Sequence, residues 1–131
     1  MSDDHAAIRD LVQGWVDAIQ SRDLDGVLAG HAEDIVMFDV PPPYDGVRGI
    51  TAYRECWEPF FDYIAGGAFF DLVDLDITAG ERVAYAHALL RCGTPVELTA
   101  RPALRLRLTL GLRKHDGRWL VAHEHHSFPL S

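Results

Sequence analysis

The chain of 131 residues carries 12 basic and 20 acidic side chains, which give a formal net charge of −8 at pH 7. A surface of this sign repels phosphate backbones and anionic lipid, so neither nucleic acid nor a membrane is an expected partner. No run of about eighteen apolar residues is present, so no membrane-spanning helix is predicted. The length predicts a single domain over residues 1–131.

The cysteines and the first residues bear on the compartment. Cys56 and Cys92 lie in segments with the patterns of a helix and a strand, and we interpret them as small core residues of a reducing compartment. Residues 1–5 are acidic and contain no apolar run, so no signal peptide is expected. These features together predict a cytoplasmic protein.

Three helices are predicted in the first half of the chain. The first has apolar residues at spacings of three and four, which form one stripe facing the core: Ile8, Leu11, Val12, Trp15 and Ile19. Asp23 can cap a short second helix that ends near Gly30. A third helix begins at Gly49 and is expected to kink or break near Glu58, because Pro59 removes a hydrogen bond and collides with the preceding turn.

Between the second and third helices, residues 32–40 are predicted to form a strand that carries one notable carboxylate. Side chains alternate in an extended segment, so Ile35, Met37 and Asp39 share one face. The prolines at 41–43 cannot donate to a sheet, so the strand stops just before them and Asp39 lies at its end. A carboxylate among apolar groups is useful as a base. The alternative is that Asp39 only accepts hydrogen bonds from the proline loop.

The second half of the chain is predicted to form four longer antiparallel strands. In the clearest of them leucines recur at every second position from 104 to 112, alternating with polar residues, so one face is core and the other is polar. A strand over residues 82–92 carries alanines on one face and larger side chains on the other. With the helices, this order predicts an α+β fold in which a curved sheet wraps against helices.

The last predicted strand, residues 118–128, contains the cluster His123-Glu124-His125-His126, for which strand propensity gives no reason. His123 and His125, two positions apart, would point the same way, as ligand pairs do in zinc and iron sites. No spacing selects a third ligand among Asp39, His87 and Glu124, so no metal is predicted. Two alternatives stay open: histidines satisfied by neighbours at a sheet edge or subunit contact, and a polar pocket wall.

Five short segments together resemble the ketosteroid isomerase-like and SnoaL-type polyketide cyclase-like proteins of the nuclear transport factor 2-like superfamily. These segments are 11–19, 22–27, 32–39, 49–54 and 116–119. The resemblance extends over about residues 5–128. It implies a cone in which a curved, mostly antiparallel sheet wraps around three N-terminal helices. It does not specify an activity, because this scaffold hosts isomerases, dehydratases, cyclases and non-catalytic domains.

The resemblance also implies roles for individual residues. It places Asp39 where the isomerases keep the aspartate that abstracts a proton next to a carbonyl. Trp15 and Trp57 take the places of two pocket tyrosines, and Leu110 takes that of a protonated carboxylic acid. The isomerase oxyanion hole is therefore absent, and because one lost hole donor typically costs ~10²–10³ in rate, steroid isomerisation is not expected.

The same resemblance places Tyr85, His87 and Arg91 on the cavity wall, beside Glu124 and His126 of the last strand. A slip of one residue in that strand would turn the other two histidines of the cluster inward instead. If the parity holds, His87, Arg91 and His126 supply the electrophilic donors that tyrosine and acid supply in the isomerase. Base and donors would then face each other across an aromatic pocket.

The leading hypothesis is a small enzyme that moves a proton next to a carbonyl on a small, mostly apolar ligand, by isomerisation, dehydration or aldol cyclisation. Asp39 is the predicted base, and His87 and His126 are the predicted donors. Contacts to the substrate are predicted for Trp15, Trp57, Phe61, Tyr85, Arg91 and Glu124. No cofactor is implied. The alternative is a ligand-binding or dimerisation module without turnover.

A homodimer is expected to form through the outer face of the sheet. The face opposite the leucines carries several arginines, and the outer parity of the last strand is predicted to add Trp119 and Val121. A tryptophan exposed beside arginines is typical of a partner surface.

Overall fold

The computed structural model describes residues 2–130, which form five α-helices and six β-strands. The helices are α1 (Ser2–Gln20), α2 (Leu24–Leu28), α3 (Ile50–Glu55), α4 (Trp57–Ala65) and α5 (Pro95–Ala100). The strands are β1 (His31–Phe38), β2 (Val47–Arg48), β3 (Phe69–Ala79), β4 (Val83–Gly93), β5 (Leu106–His115) and β6 (Arg118–Ser127). They form one curved, open sheet in the order β2-β1-β6-β5-β4-β3, which confirms the predicted α+β class.

The helices follow the predicted pattern closely. The stripe of α1 is buried over most of its length, and Asp23 accepts from the backbone N–H of Gly26 at the start of α2. The break between α3 and α4 falls at Cys56, slightly before the predicted position. Pro59 instead lies in the first turn of α4, where its missing N–H has no helical partner to lose. No helix within residues 2–130 has both the length and the apolar character needed to cross a membrane.

Helix α5 has no counterpart among the predicted elements. The Thr94 side chain accepts from the backbone N–H of Glu97, and the Glu97 carboxylate accepts from the backbone N–H of Thr94 at 2.8 Å. This reciprocal pair is a capping box, and Pro95 occupies the first turn that follows it. The spacing of Thr94 and Glu97 around a proline is therefore the signal that marks this helix in the sequence.

The pairing of β4 with β5 decides which residues point into the core. The leucines at 106, 108, 110 and 112 are buried, and facing them across the pair are Leu90, Ala88, Ala86 and Ala84. Directly opposed residues of an antiparallel pair point to the same face, so the alanines are inside. Tyr85, His87 and Arg91 consequently point outward, and the prediction that they line the cavity is wrong. Small side chains on β4 leave room for the leucines of β5.

A β-bulge sets the parity of β6. Gly111 pairs with His123, but the next residue of β5, Leu112, pairs with Val121, so Ala122 is an extra residue in β6. A bulge of this kind changes which side chains face the core, because two residues on one strand oppose one on the other. The parity of β6 before Ala122 is therefore opposite to the parity after it.

The bulge explains one wrong prediction and one that agrees with the structure. Before the bulge, Trp119 and Val121 are buried, and the Trp119 N–H donates to Asp4 at 3.1 Å. Their predicted position on the outer face of the sheet is therefore wrong. After the bulge, Glu124 and His126 point inward, as the resemblance implied, and both are buried.

Candidate active site

A cavity of about 320 Å³ lies between α4, the end of β1 and the inner face of the sheet. Its walls are largely apolar, and the aromatic and leucine side chains among them are Trp57, Phe60, Tyr63, Phe70, Leu106 and Phe128. Asp39 and His126 contribute a carboxylate and an imidazole to the same lining. An apolar cavity with a few convergent polar groups is the usual form of a small-molecule site.

Asp39 lies at the rim of this cavity, one residue past the end of β1. Ile35 and Met37 of the strand are fully buried, and Asp39 continues their face, as predicted. Its Oδ1 lies 3.7 Å from Nδ1 of His126, and 26% of the side chain is exposed. The same oxygen accepts from the backbone N–H of Val40 at 2.7 Å. Asp39 therefore contacts the proline loop and also faces a histidine in the cavity.

His126 connects the cavity to a buried polar network. Its Nε2 lies 2.9 Å from Oε1 of Glu124, and its ring packs edge-on against Trp15. Burial lowers the pKa of His126, but the hydrogen bond to Glu124 and the charges of Glu124 and Asp39 outweigh it, so the pKa is raised above its usual value. The imidazolium form is thereby favoured, and its Nδ1 faces Asp39.

Glu124 is fully buried behind His126 and does not line the cavity, so its predicted contact with a substrate is wrong. Its Oε2 accepts from the Tyr53 hydroxyl at 2.7 Å and lies 2.8 Å from Nε2 of His31. Burial raises the pKa of Glu124, but the hydrogen bonds and charges of His126 and His31 lower it to about 2. The group is therefore a carboxylate, which β6 holds behind the cavity wall.

His31 and Tyr53 complete the network, and sequence reasoning assigned neither to the site. His31 is far from Glu124 in the sequence, with a separation of 93 residues, and no local pattern marks it. Tyr53 belongs to the apolar stripe of α3, which predicts burial but no partner for its hydroxyl. The Trp15 indole donates to that hydroxyl at 3.1 Å, and Trp15 does not line the cavity, so its predicted contact with a substrate is wrong.

Two further aromatic residues of α4 have different positions. Trp57 lines the cavity as predicted, and its buried N–H has no hydrogen-bond partner among residues 2–130. Phe61 does not line the cavity, contrary to the prediction; it packs half-buried against the core, and its neighbour Phe60 lines the cavity. Because helical spacing leaves the rotation of α4 open by one position, the sequence alone did not distinguish the two phenylalanines.

The three residues predicted on the wall from β4 lie on the far side of the sheet from the cavity. His87 is exposed, 3.8 Å from Asp76, and Tyr85 is 54% exposed. The Arg91 guanidinium lies 4.5 Å from the centre of the Phe69 ring. None of the three reaches Asp39, so His126 is the only predicted donor that the structure brings to the predicted base within residues 2–130. In the same part of the chain, no three His, Cys, Asp or Glu side chains are grouped to hold a metal ion.

The facing pair has a geometry suited to a ligand. At 3.7 Å the Asp39 and His126 atoms are too far apart for a good hydrogen bond to each other. They are close enough for one functional group of a ligand to contact both. A carboxylate can take a proton there, and a protonated imidazole can donate a hydrogen bond to an oxygen.

Comparison with known proteins identifies the fold around this site. A model of the SnoaL-like domain matches residues 8–131. An NTF2-like protein of unknown function from Pseudomonas putida KT2440 is 33% identical, with a TM-score of 0.87 over 100% of this chain and 90% of its own. A candidate ketosteroid isomerase from Shewanella frigidimarina is 20% identical, with a TM-score of 0.72 over 90% of this chain and 92% of its own.

A candidate aromatic ring hydroxylase from Novosphingobium aromaticivorans has the same fold at 19% identity, with a TM-score of 0.73 over 100% of this chain and 92% of its own. The activities named for these two proteins differ, so similarity at about 20% identity indicates a shared fold but not a shared reaction. The chain matches none of the functionally curated proteins.

Proposed function

The chain belongs to the SnoaL-like domain family and has the NTF2-like fold, and on that premise we propose that it is an enzyme that transfers a proton next to a carbonyl group. The ligand is small and mostly apolar, in keeping with a cavity of about 320 Å³ with aromatic walls. The single observation that carries the proposal is the 3.7 Å approach of Asp39 Oδ1 to His126 Nδ1 inside that cavity.

Asp39 and His126 have complementary roles in this reaction. The Asp39 carboxylate takes a proton from the carbon next to the carbonyl, and the electron pair of the broken C–H bond moves onto the carbonyl oxygen. The Nδ1–H of protonated His126 donates a hydrogen bond to that oxygen and stabilises its charge. Return of the proton from Asp39 to another carbon gives isomerisation. Its transfer to a departing hydroxyl, which leaves as water, gives dehydration. Attack of the enolate carbon on a second carbonyl, whose oxygen then takes the proton, gives aldol cyclisation.

The donor differs from the tyrosine and acid that the resemblance associates with steroid isomerisation. Leu110 is buried at the position where the acid was expected, and it pairs across the sheet with Glu124. The carboxylate therefore belongs to the neighbouring strand, where it lies behind His126 instead of facing the ligand. In the proposal the imidazolium of His126 takes over the stabilisation of the oxyanion.

The alternative is a binding module of the same fold without turnover. It is favoured by one contact, the 2.7 Å hydrogen bond from the Val40 N–H to Asp39, because a carboxylate held by its own loop need not act as a base. In this alternative the cavity holds an apolar ligand, and Asp39 serves only to keep the rim of the cavity in place.

The two functions are separated by solvent deuterium incorporation into a panel of small cyclic ketones, with ligand affinity measured by calorimetry. Replacing Asp39 by Asn keeps shape and hydrogen bonding but removes proton affinity, so exchange is expected to fall by ~10²–10⁴ while affinity survives. Asp45→Asn, in the exposed loop after the prolines, is the control and leaves both unchanged. Equal exchange in Asp39→Asn and the wild type excludes Asp39 as the base. No exchange with any ketone in either protein supports the binding module.

We also propose that the outer face of the sheet pairs with a second copy of the chain. Tyr85, Leu89, Val83 and Val73 are exposed apolar side chains on β3 and β4. Exposed apolar groups next to charged ones are typical of a protein interface. The pairing would leave the cavity open, because the cavity lies on the other face of the sheet.

A further inference from the structure

We propose that Glu124 is a positioning residue that keeps a proton on Nε2 of His126, so that the proton this histidine gains and loses resides on Nδ1, the nitrogen facing Asp39 and the cavity. The catalytic meaning of this arrangement rests on the proposed function. The position of the proton, in contrast, is a property of the ligand-free protein and can be measured without any reaction.

Glu124 and His126 are in direct contact. His126 Nε2 lies 2.9 Å from Glu124 Oε1, and both side chains are buried. An ionised carboxylate only accepts hydrogen bonds, so the nitrogen facing it must donate. Neutral His126 therefore has its proton on Nε2 and a lone pair on Nδ1. Protonated His126 adds its second proton at Nδ1.

Glu124 is itself held in place by two further residues. The Tyr53 hydroxyl donates to its Oε2, and His31 Nε2 lies 2.8 Å from the same oxygen. Two lone pairs do not face each other at this distance, so a proton lies between His31 and Glu124. The other nitrogen of His31 lies 2.9 Å from the carbonyl of Ala29, which fixes the ring. With Oε2 held by these partners, Oε1 is directed at His126.

The other groups around His126 bring one further charge, that of Asp39. On the cavity side it faces the carboxylate of Asp39, and Trp15 of α1 packs against its ring without bringing a charge. The remaining titratable groups of the cavity are Cys56, Cys92 and Tyr63. Burial raises the pKa of each, that of Cys92 to about 12, so all three are neutral near pH 7. Glu124 and Asp39 are therefore the acceptors that compete for the protons of His126.

This competition determines what Glu124 does for the reaction. Without Glu124, a neutral His126 would place its one proton on Nδ1, toward Asp39. That nitrogen would then have no lone pair with which to accept a proton from the ligand. With Glu124, the Nδ1 position is filled in the imidazolium and empty in the neutral form. The imidazole can then donate to the carbonyl oxygen and, in a later step, accept a proton at the same place.

The test is nuclear magnetic resonance of the ligand-free protein with ¹⁵N-labelled histidine, recorded across the pH range in which histidine titrates. In the wild type, neutral His126 is expected to be protonated at Nε2 and unprotonated at Nδ1. Glu124→Gln removes the negative charge, so the midpoint of the His126 titration is expected to fall. Glu124→Met also removes the acceptor, and the proton of neutral His126 is expected to move to Nδ1.

Tyr53→Phe is the matched control, because it removes a donor to Oε2 while the contact of Oε1 with His126 remains. It is expected to retain the Nε2 proton. If neutral His126 of the wild-type protein carries its proton on Nδ1, the inference is overturned, even if no Glu124 variant folds. An unchanged midpoint in Glu124→Gln, or a proton that leaves Nε2 equally in Tyr53→Phe, overturns it as well.

The result also separates this inference from the proposed function. If the proton is on Nε2 as expected but no ketone exchanges deuterium, the proposed reaction is wrong and the positioning role of Glu124 stands as a structural one. If exchange occurs but neutral His126 is protonated at Nδ1, the reaction stands and the role given to Glu124 is wrong.

Discussion

Asp39 and His126 face each other because two strands that are distant in the sequence run parallel in a fixed register. Phe38 of β1 pairs with His125 of β6. The next residue along each strand turns to the opposite, inner face, so Asp39 and His126 become neighbours in the cavity. The 3.7 Å between their facing atoms thus follows from the register of β1 on β6. This register makes the two residues neighbours in the cavity, which is the arrangement that the proposed reaction requires.

Replacement of His126 tests the donor half of this pair. His126→Gln keeps a polar side chain near Glu124 but removes the cationic donor, so deuterium exchange into an active ketone should fall by ~10²–10³. The matched control is His125→Gln, one position away and exposed on the other face of the sheet, which should leave exchange unchanged. Equal rates in His126→Gln and the wild type would remove the histidine from the mechanism.

The buried network also predicts how stability depends on pH. The pKa of Glu124 falls from 4.5 to about 2, so its contribution is present above 4.5 and is lost as the pH falls toward about 2. The pKa of His126 is raised above 6.5, so its contribution is full below 6.5 and is lost as the pH rises through the raised value. The network therefore stabilises the fold most between these two limits.

Urea unfolding at about pH 5.5 and at about pH 8 gives the unfolding free energy on both sides of the upper pH limit, where His126 loses its proton. The wild type should lose a component of its unfolding free energy between the two, and His126→Gln should lack that component. His87→Gln is the control, since His87 is exposed on the other face of the sheet, and it should behave as the wild type. The same pH dependence in His126→Gln and the wild type would contradict the assignment.

The sequence predicted Asp39 at the cavity for local reasons. Alternation along β1 and the prolines after it depend only on neighbours in the chain, and the structure places both as expected. The approach of His126 depends on the parallel pairing of β1 with β6, which no local pattern specifies. His31 and Tyr53 were missed for the same reason, because each has its partners on distant elements.

His87 shows a second limit of sequence reasoning. Alternation tells which side chains of β4 share a face but not which face is buried, and it is the family resemblance that implies an inward position for His87 and its neighbours on that face. Packing decides otherwise, since the leucines of β5 occupy the core and only alanine fits opposite most of them. In β6, the extra residue Ala122 reverses the parity without any mark in the sequence, so Trp119 was assigned to the wrong face.

Leu108 provides a test of the core. It is 1% exposed in the middle of β5 and faces Ala88 across the strand pair, where little else can fill a cavity. Leu108→Ala should therefore lower the unfolding free energy by roughly 2–5 kcal/mol in denaturant melts. Val96→Ala, on the exposed side of α5, is the control and should change it by less than about 0.5 kcal/mol. A loss below about 1 kcal/mol at Leu108 would show that β5 is packed differently.

The outer face of the sheet is the proposed dimer interface. A second copy placed there would cover Tyr85 and Leu89, which are 54% and 38% exposed in a single chain. We therefore expect light scattering to give the mass of a dimer at micromolar concentration. Tyr85→Glu places a charge in the middle of the proposed interface and should shift the mass toward that of the monomer. Tyr44→Glu, at a loop residue that is 92% exposed, should leave the dimer intact. A monomer mass for the wild type, or dimers that persist equally in both variants, would exclude this face as the interface.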